Sequence, residues 1–209
     1  MKSVWQETVN IPEFPRLKGD INTDVLIIGG GMAGILTAYF LHQKGVKYVL
    51  VEKDRICSGT TQNTTAKITF QHGLVYQKIL KTKGLEPAQK YLEINKRALK
   101  KYEELCKNAE SDYERKDNFV YSADNRLKLE NEMNALMKIG YNAEFCEDVS
   151  IPIKTVGAVK FPHQAQFNPL KFGAIIANGL NIYENTFVRE MTESSAITDC
   201  GKIHAKKIV

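Results

Sequence analysis

No stretch of this chain approaches the roughly 18–20 consecutive apolar residues of a membrane-spanning helix. Tryptophan occurs once, at Trp5. The four cysteines, Cys57, Cys106, Cys146 and Cys200, stand far apart and form no C-x-x-C pair. That spacing excludes the common zinc patterns and gives no disulfide framework. His42, His163 and His204 are scattered and share no metal-ligand spacing, so no metal site is expected. Met1–Glu7 leads into polar residues rather than an apolar stretch, so no secretory signal is expected. Reduced thiols in the cytoplasm are the simple reading. A large excess of one charge sign is also lacking. The net charge of +5 comes most visibly from Lys96, Arg97, Lys100, Lys101 and Lys107. These are mixed with Glu103 and Glu104 opposite an apolar helical stripe that includes Ala88, Leu92 and Leu99. A solvated helix face, not a nucleic-acid patch, is the expectation.

What remains is an ordinary globular composition, 43% hydrophobic and 25% charged over 209 residues. That length buries one good core, or one large domain with a smaller one. Against this plain background one segment stands out. Asp24–Ile28 is an apolar run that stops at Gly29-Gly30-Gly31, and Met32-Ala33-Gly34 opens a helical pattern. Gly29, Gly31 and Gly34 match G-x-G-x-x-G in a strand–turn–helix context. Gly29 lets the chain turn out of the strand. Gly31, without a side chain, lets a pyrophosphate reach the backbone. Gly34 permits close helix–sheet packing. The N–H groups and positive dipole end at Met32 and Ala33 then face the anion.

The partner residue is also present. Ile35, Leu36, Ala38, Tyr39 and Leu41 give a helical stripe, and Gly45 suits a C-cap. Lys47–Val51 reads as a buried strand ending in Glu52, 18 positions after Gly34, near the roughly 20 expected of the acid that binds an adenosine ribose. A carboxylate there accepts from both ribose hydroxyls and repels a 2′-phosphate. The reading is therefore FAD or NAD, not NADP, with Lys53 beside the ribose. An ordinary solvated strand end is the bland alternative for Glu52.

Residues 54–69, including Cys57-Ser58-Gly59-Thr60-Thr61 and Thr64-Thr65-Ala66-Lys67-Ile68-Thr69, resemble the segment after the second strand in the D-amino-acid oxidase/glycine oxidase-like FAD-dependent oxidoreductases. With Gln71-His72-Gly73-Leu74, the likeness narrows to a bacterial branch whose full-length members often carry a C-terminal Rieske iron–sulfur domain. A looser likeness extends over Ala165–Phe172. The resemblance implies an α/β fold: a Rossmann-like FAD-binding domain with a mostly parallel sheet and helices, and part of an inserted α+β substrate-binding domain. It implies that Ser58, Gly59, Thr60 and Thr61 lie along the FAD pyrophosphate and ribityl chain, that Thr65, Ala66 and Lys67 lie nearer the isoalloxazine, and that the backbone of Val188 meets the adenine. Lys67 reads either as a cation that tunes the flavin or as a surface lysine. His72 reads as a site-mouth residue or a packing residue. Gln62-Asn63 departs from the Arg-Asn pair of many members. No Cys-x-His pair is present, so the chain itself holds no Rieske cluster.

The rest of the chain orders around this unit. Residues 1–20 read as an extended arm. Residues 21–112 and 164–209 read as an incomplete FAD-binding domain, and 113–163 as part of the substrate-binding domain. Helices are expected over 71–83, 85–108 and 125–139, the last with Leu129, Met133, Leu136 and Met137 as its apolar face. Asn168-Pro169 starts another helix, Asn as N-cap and Pro in the first turn. Strands are expected at 117–121, 156–161, 182–184, 186–193 and 203–209. The likeness stops partway through the family's pattern, so the chain is expected to be an N-terminal portion of a longer flavoenzyme. Its activity would be amine or amino-acid oxidation by hydride transfer to flavin, with either oxygen or an iron–sulfur partner of the full-length protein as electron acceptor. An NAD-dependent dehydrogenase and a nucleotide-binding remnant without turnover remain as alternatives. No catalytic residue is assigned.

Overall fold

The computed structural model describes residues 2–107 and 109–209. β1 (Ile21–Ile28) leads through α1 (Met32–Gln43) to β2 (Tyr48–Val51). A two-residue β3 (Lys67–Ile68) precedes α2 (Val75–Lys83) and α3 (Leu85–Cys106). Then come β4 (Glu114–Tyr121), α4 (Arg126–Lys138), β5 (Glu144–Cys146), β6 (Ala158–Gln166) and α5 (Pro169–Ala177). The chain finishes with β7 (Ile182–Tyr183), β8 (Val188–Met191), β9 (Ser195–Thr198) and β10 (Gly201–Ile208).

These elements form two compact units, one of residues 2–65 and 168–209, the other of residues 66–167. The first holds a six-stranded sheet in the order β7-β2-β1-β10-β9-β8. β7, β2, β1 and β10 are parallel, and β9 and β8 are added antiparallel. All four residues of β2 are buried, as expected of a strand covered on both faces. Leu26, Ile27 and Leu50 are at most 2% exposed; each contributes about 1.5–3 kcal/mol by leaving water. β1 lies between β2 and β10, so the Gly29 turn emerges where the strand order reverses, the place at which open α/β sheets take their ligands. After α1, Gly45 takes φ +66° and its amide donates to His42 O at 3.0 Å, closing the helix as its sequence position implies.

The second unit is a four-stranded antiparallel sheet in which β6 pairs with β3, β4 and β5. α2, α3 and α4 share a core with it, built on Phe70, Tyr76, Leu92, Leu129, Leu136 and Phe161. The compact units therefore divide at 65/66 and 167/168, not at the expected 112/113 and 163/164. The reason is this core, in which α2 packs against both α3 and α4 within the second unit.

Three further differences have local causes. Met137 of α4 is 55% exposed, and the inward place on that helix goes to Glu132, which is fully buried. The carboxylate of Glu132 accepts from the amides of Tyr76 (3.0 Å) and Gln77 (2.8 Å) and from the Gln71 side chain (3.2 Å), so it caps α2 from another helix. The single strand expected over 186–193 is only Val188–Met191. Asn185 turns before it at φ +51°, and the Thr192 amide donates to Ser195 O at 2.8 Å to start a hairpin into β9. The N-terminal arm is not wholly extended either: Val4–Glu7 forms a 3-10 turn.

Candidate functional site

The dinucleotide turn forms as its glycines dictate. Gly29 sits at φ +109°, a conformation that a side chain disfavours. Gly34 is fixed by packing: a Cβ there would lie 1.9 Å from the carbonyl oxygen of Gly29. Gly30, the unconstrained position of the motif, is also confined, because a Cβ would meet Ile56 Cγ2 at 2.8 Å and Glu52 Cβ at 3.0 Å. At Gly31 a Cβ would find only Thr61 Oγ1, at 3.7 Å. Gly31 is the N-cap of α1 and supplies no side-chain cap. The opening amides of a helix lack intrahelical acceptors; here Met32 N–H donates to Thr61 Oγ1 at 3.2 Å.

Glu52 follows β2 and lies at this turn. Its Oε2 accepts from Gly30 N–H at 2.6 Å and its Oε1 from Asp54 N–H at 3.0 Å. The carboxylate thus holds the glycine turn as well as facing outward, a role that the spacing rule does not reveal. Beside it lies a cavity of about 190 Å³ lined by Ile28, Gly29, Val51, Glu52, Lys53 and Thr186–Val188. Val188 begins β8 and Lys53 is exposed. Glu52 and Lys53 therefore line one cavity with Val188, which is far from them in sequence. Its volume is below the roughly 300–1,000 Å³ of pockets that enclose a drug-sized ligand. It suits one end of a dinucleotide, not a whole one.

Ser58, Gly59, Thr60 and Thr61 continue from this region as a loop closed by the 3-10 turn Thr60–Asn63. Cys57 N–H donates to Gly30 O at 2.9 Å, and Gln62 N–H to Cys57 O at 3.1 Å. Thr61 is buried and its hydroxyl oxygen accepts from Met32 N–H, so it positions the helix start. Gly59, Thr60 and Thr65 are exposed. Cys57 is 1% exposed, and burial pushes its thiol pKa up to about 12. It packs against α5: a Cβ on Gly173 would lie 2.7 Å from its sulfur. Ala66 and Lys67 belong to the second unit. Ala66 is buried at φ +57°, and Lys67 is exposed on β3. His72 is exposed, its ring 6.5 Å from that of Tyr91.

Sequence reasoning missed Glu184, which is 1% exposed. Its carboxylate accepts from Ile56 N–H (2.7 Å) and Phe14 N–H (3.1 Å) and pairs with Arg55 Nε at 2.8 Å. It anchors the segment between Glu52 and Ser58 from behind. No local pattern marks it, since its partners are distant in sequence. Among the described residues no group of His, Cys, Asp and Glu is arranged to hold a metal, and no helix is long and apolar enough to cross a membrane.

Residues 24–209 match a protein-family model, DAO, described as FAD dependent oxidoreductase. A Bacillus subtilis protein assigned as a Rieske 2Fe-2S iron–sulfur protein, YhfW, is 34% identical over 194 residues, covering 88% of this chain and 38% of the relative. Among solved structures, L-proline dehydrogenase from P. horikoshii superposes with TM-score 0.71 at 17% identity, over 92% of this chain and 52% of that one. Glycine oxidase from Bacillus cereus superposes with TM-score 0.62 at 21% identity, over 89% and 54%. At such identities the structures establish the fold. The chain thus spans well under two thirds of the length of each of these proteins.

Proposed function

The chain belongs to the DAO family of FAD-dependent oxidoreductases, and from that premise we propose that it supplies the dinucleotide grip of an enzyme that oxidises an amine or amino acid. The observation that carries this reading is the conjunction at one turn. The uncapped start of α1, the Glu52 carboxylate and the cavity bounded by Lys53 and Val188 meet there. The residues present fit the adenosine diphosphate half of FAD. Backbone amides at Gly31, Ala33 and Gly34 and the helix dipole favour the pyrophosphate, beside Met32, whose own N–H is held by Thr61 Oγ1. Gly29 and Gly31 keep side chains out of its way. Glu52 retains acceptor capacity for ribose hydroxyls, since each of its oxygens accepts only one backbone bond. Val188 borders the space for the adenine. Ser58, Gly59, Thr60 and Thr61 extend the grip toward the ribityl chain, and Thr65, Ala66 and Lys67 are assigned to its flavin end.

When bound, FAD would supply the redox chemistry, as hydride acceptor for oxidation of a carbon–nitrogen bond. The protein's part is orientation and electrostatics. The amino-acid substrate class is supported by the solved relatives, which include a proline dehydrogenase and a glycine oxidase. The Rieske assignment of the relative supports an iron–sulfur electron acceptor in a longer protein. The four cysteines, free and apart, support a cytoplasmic location. The test is the purified chain incubated with FAD or NAD, freed of excess ligand, and then offered amines and amino acids. Retained flavin absorbance with FAD supports the reading. Retention of NAD alone favours a dehydrogenase. Retained FAD without turnover assigns this chain the grip only.

A further inference from the structure

The N-terminal strap is fastened to the loop that carries the candidate cofactor contacts. Trp5 Nε1 donates to Thr64 O at 2.9 Å, and the Val4–Glu7 turn packs against both the Thr60–Asn63 turn and α5. The strap is held in place on either side. Ser3 N–H donates to Gln6 Oε1 at 2.8 Å, Thr8 Oγ1 donates to Trp5 O at 2.9 Å, and Asn168 Nδ2 donates to Thr8 Oγ1 at 2.9 Å. Further on, Leu17 N–H donates to Thr186 Oγ1 at 3.2 Å, and Arg16 pairs with Asp199 at 2.8 Å. The inner side of the same loop is tied to the dinucleotide turn, through Thr61 to Met32 and through Cys57 to Gly30. The loop is therefore gripped from two sides: by the glycine turn within and by Trp5 without.

We propose that Trp5 is a positioning residue for the cofactor loop. The strap fixes residues 58–64 in the conformation that meets the dinucleotide, and cofactor binding and strap docking strengthen each other. The chemistry is linkage: a ligand that binds only the ordered loop is weakened by the fraction of time the loop is undocked. An extended arm of residues 3–8 has no such role in itself. The indole N–H bond to a backbone carbonyl 59 residues away gives it one. The cofactor half of the proposal rests on the FAD reading above; the loop-ordering half does not.

Two measurements on the 209-residue chain and its Trp5→Phe variant test it. Hydrogen exchange without added FAD should be faster in the variant at amides 60–64 and unchanged in β1 and β2. FAD titration should show a Kd raised about three- to tenfold, the scale of one hydrogen bond. Equal exchange at 60–64 overturns the clamp, whatever FAD does. Faster exchange with an unchanged Kd overturns the coupling. Faster exchange in a chain that binds no FAD supports the clamp and defeats the FAD reading instead. If Trp5→Phe loses protection throughout, Thr8→Ala, which removes the bonds of Thr8 to Trp5 and Asn168, replaces it with the same expected and contrary results.

Discussion

Two helix starts in this molecule are built in opposite ways. α2 opens with its amides filled, since the buried carboxylate of Glu132 accepts from Tyr76 and Gln77. α4 and α5 are capped by Asn125 and Asn168. α1 instead has glycine at its N-cap, and only Met32 has a side-chain acceptor, Thr61. A helix start attracts negative charge whether the charge is built in or arrives from solution. Where the protein supplies the anion, it settles stability. Where it withholds one and clears the approach with glycine, it leaves a site. The contrast separates the structural carboxylate of the second unit from the turn that we propose as the dinucleotide grip of the first.

The comparison is broken most severely at Gly34. Gly34→Ala places a methyl against the Gly29 carbonyl. We expect it to destabilise the first unit by about 3 kcal/mol, the upper part of the overpacking range, and to abolish FAD binding; thermal unfolding and titration measure the two. Glu132→Ala should cost about 2–3 kcal/mol by stripping two amides of a charged acceptor, seen as a lower urea midpoint, with FAD affinity unchanged. Glu52→Gln reverses that profile. Its amide group would meet Gly30 N–H or Asp54 N–H donor to donor, and FAD binding should weaken about tenfold, some 1.4 kcal/mol, with a smaller loss of stability than Glu132→Ala, about 1 kcal/mol. Asn168→Ala removes the cap of α5, which accepts from Leu170 and Lys171, and should cost about 1 kcal/mol. Least disruptive is a chemical probe. The Cys57 thiol, held neutral with a pKa near 12, should resist alkylation at pH 8 in the native chain and react once it is unfolded.

What the sequence disclosed and what it hid divide by range. The β1–α1–β2 unit was legible because its signals are local: an apolar run, three spaced glycines, a helical stripe and an acid at the next strand end. α5 was legible from Asn168-Pro169 alone. β9 was not, because Ser195-Ala-Ile-Thr198 lies in a polar neighbourhood and becomes a strand by pairing with β8 and β10. β3 and β5, two and three residues long, exist only through β6. Glu132 and Glu184 resemble surface acids by type, yet both are buried by partners that in each case include residues more than 50 positions away. The spacing after Gly34 pointed to Glu52 and the resemblance to Val188, and the fold supplied the cavity they both line. Nothing local announced that Trp5 would reach Thr64.

The claim that the first unit grips the adenosine diphosphate half of FAD is tested most directly by competition on the 209-residue chain. FAD should bind with a Kd below about 1 mM, more than 4 kcal/mol. ADP should displace it, and FMN, which lacks that half, should not. FAD that resists ADP, or that yields to FMN, would contradict the account.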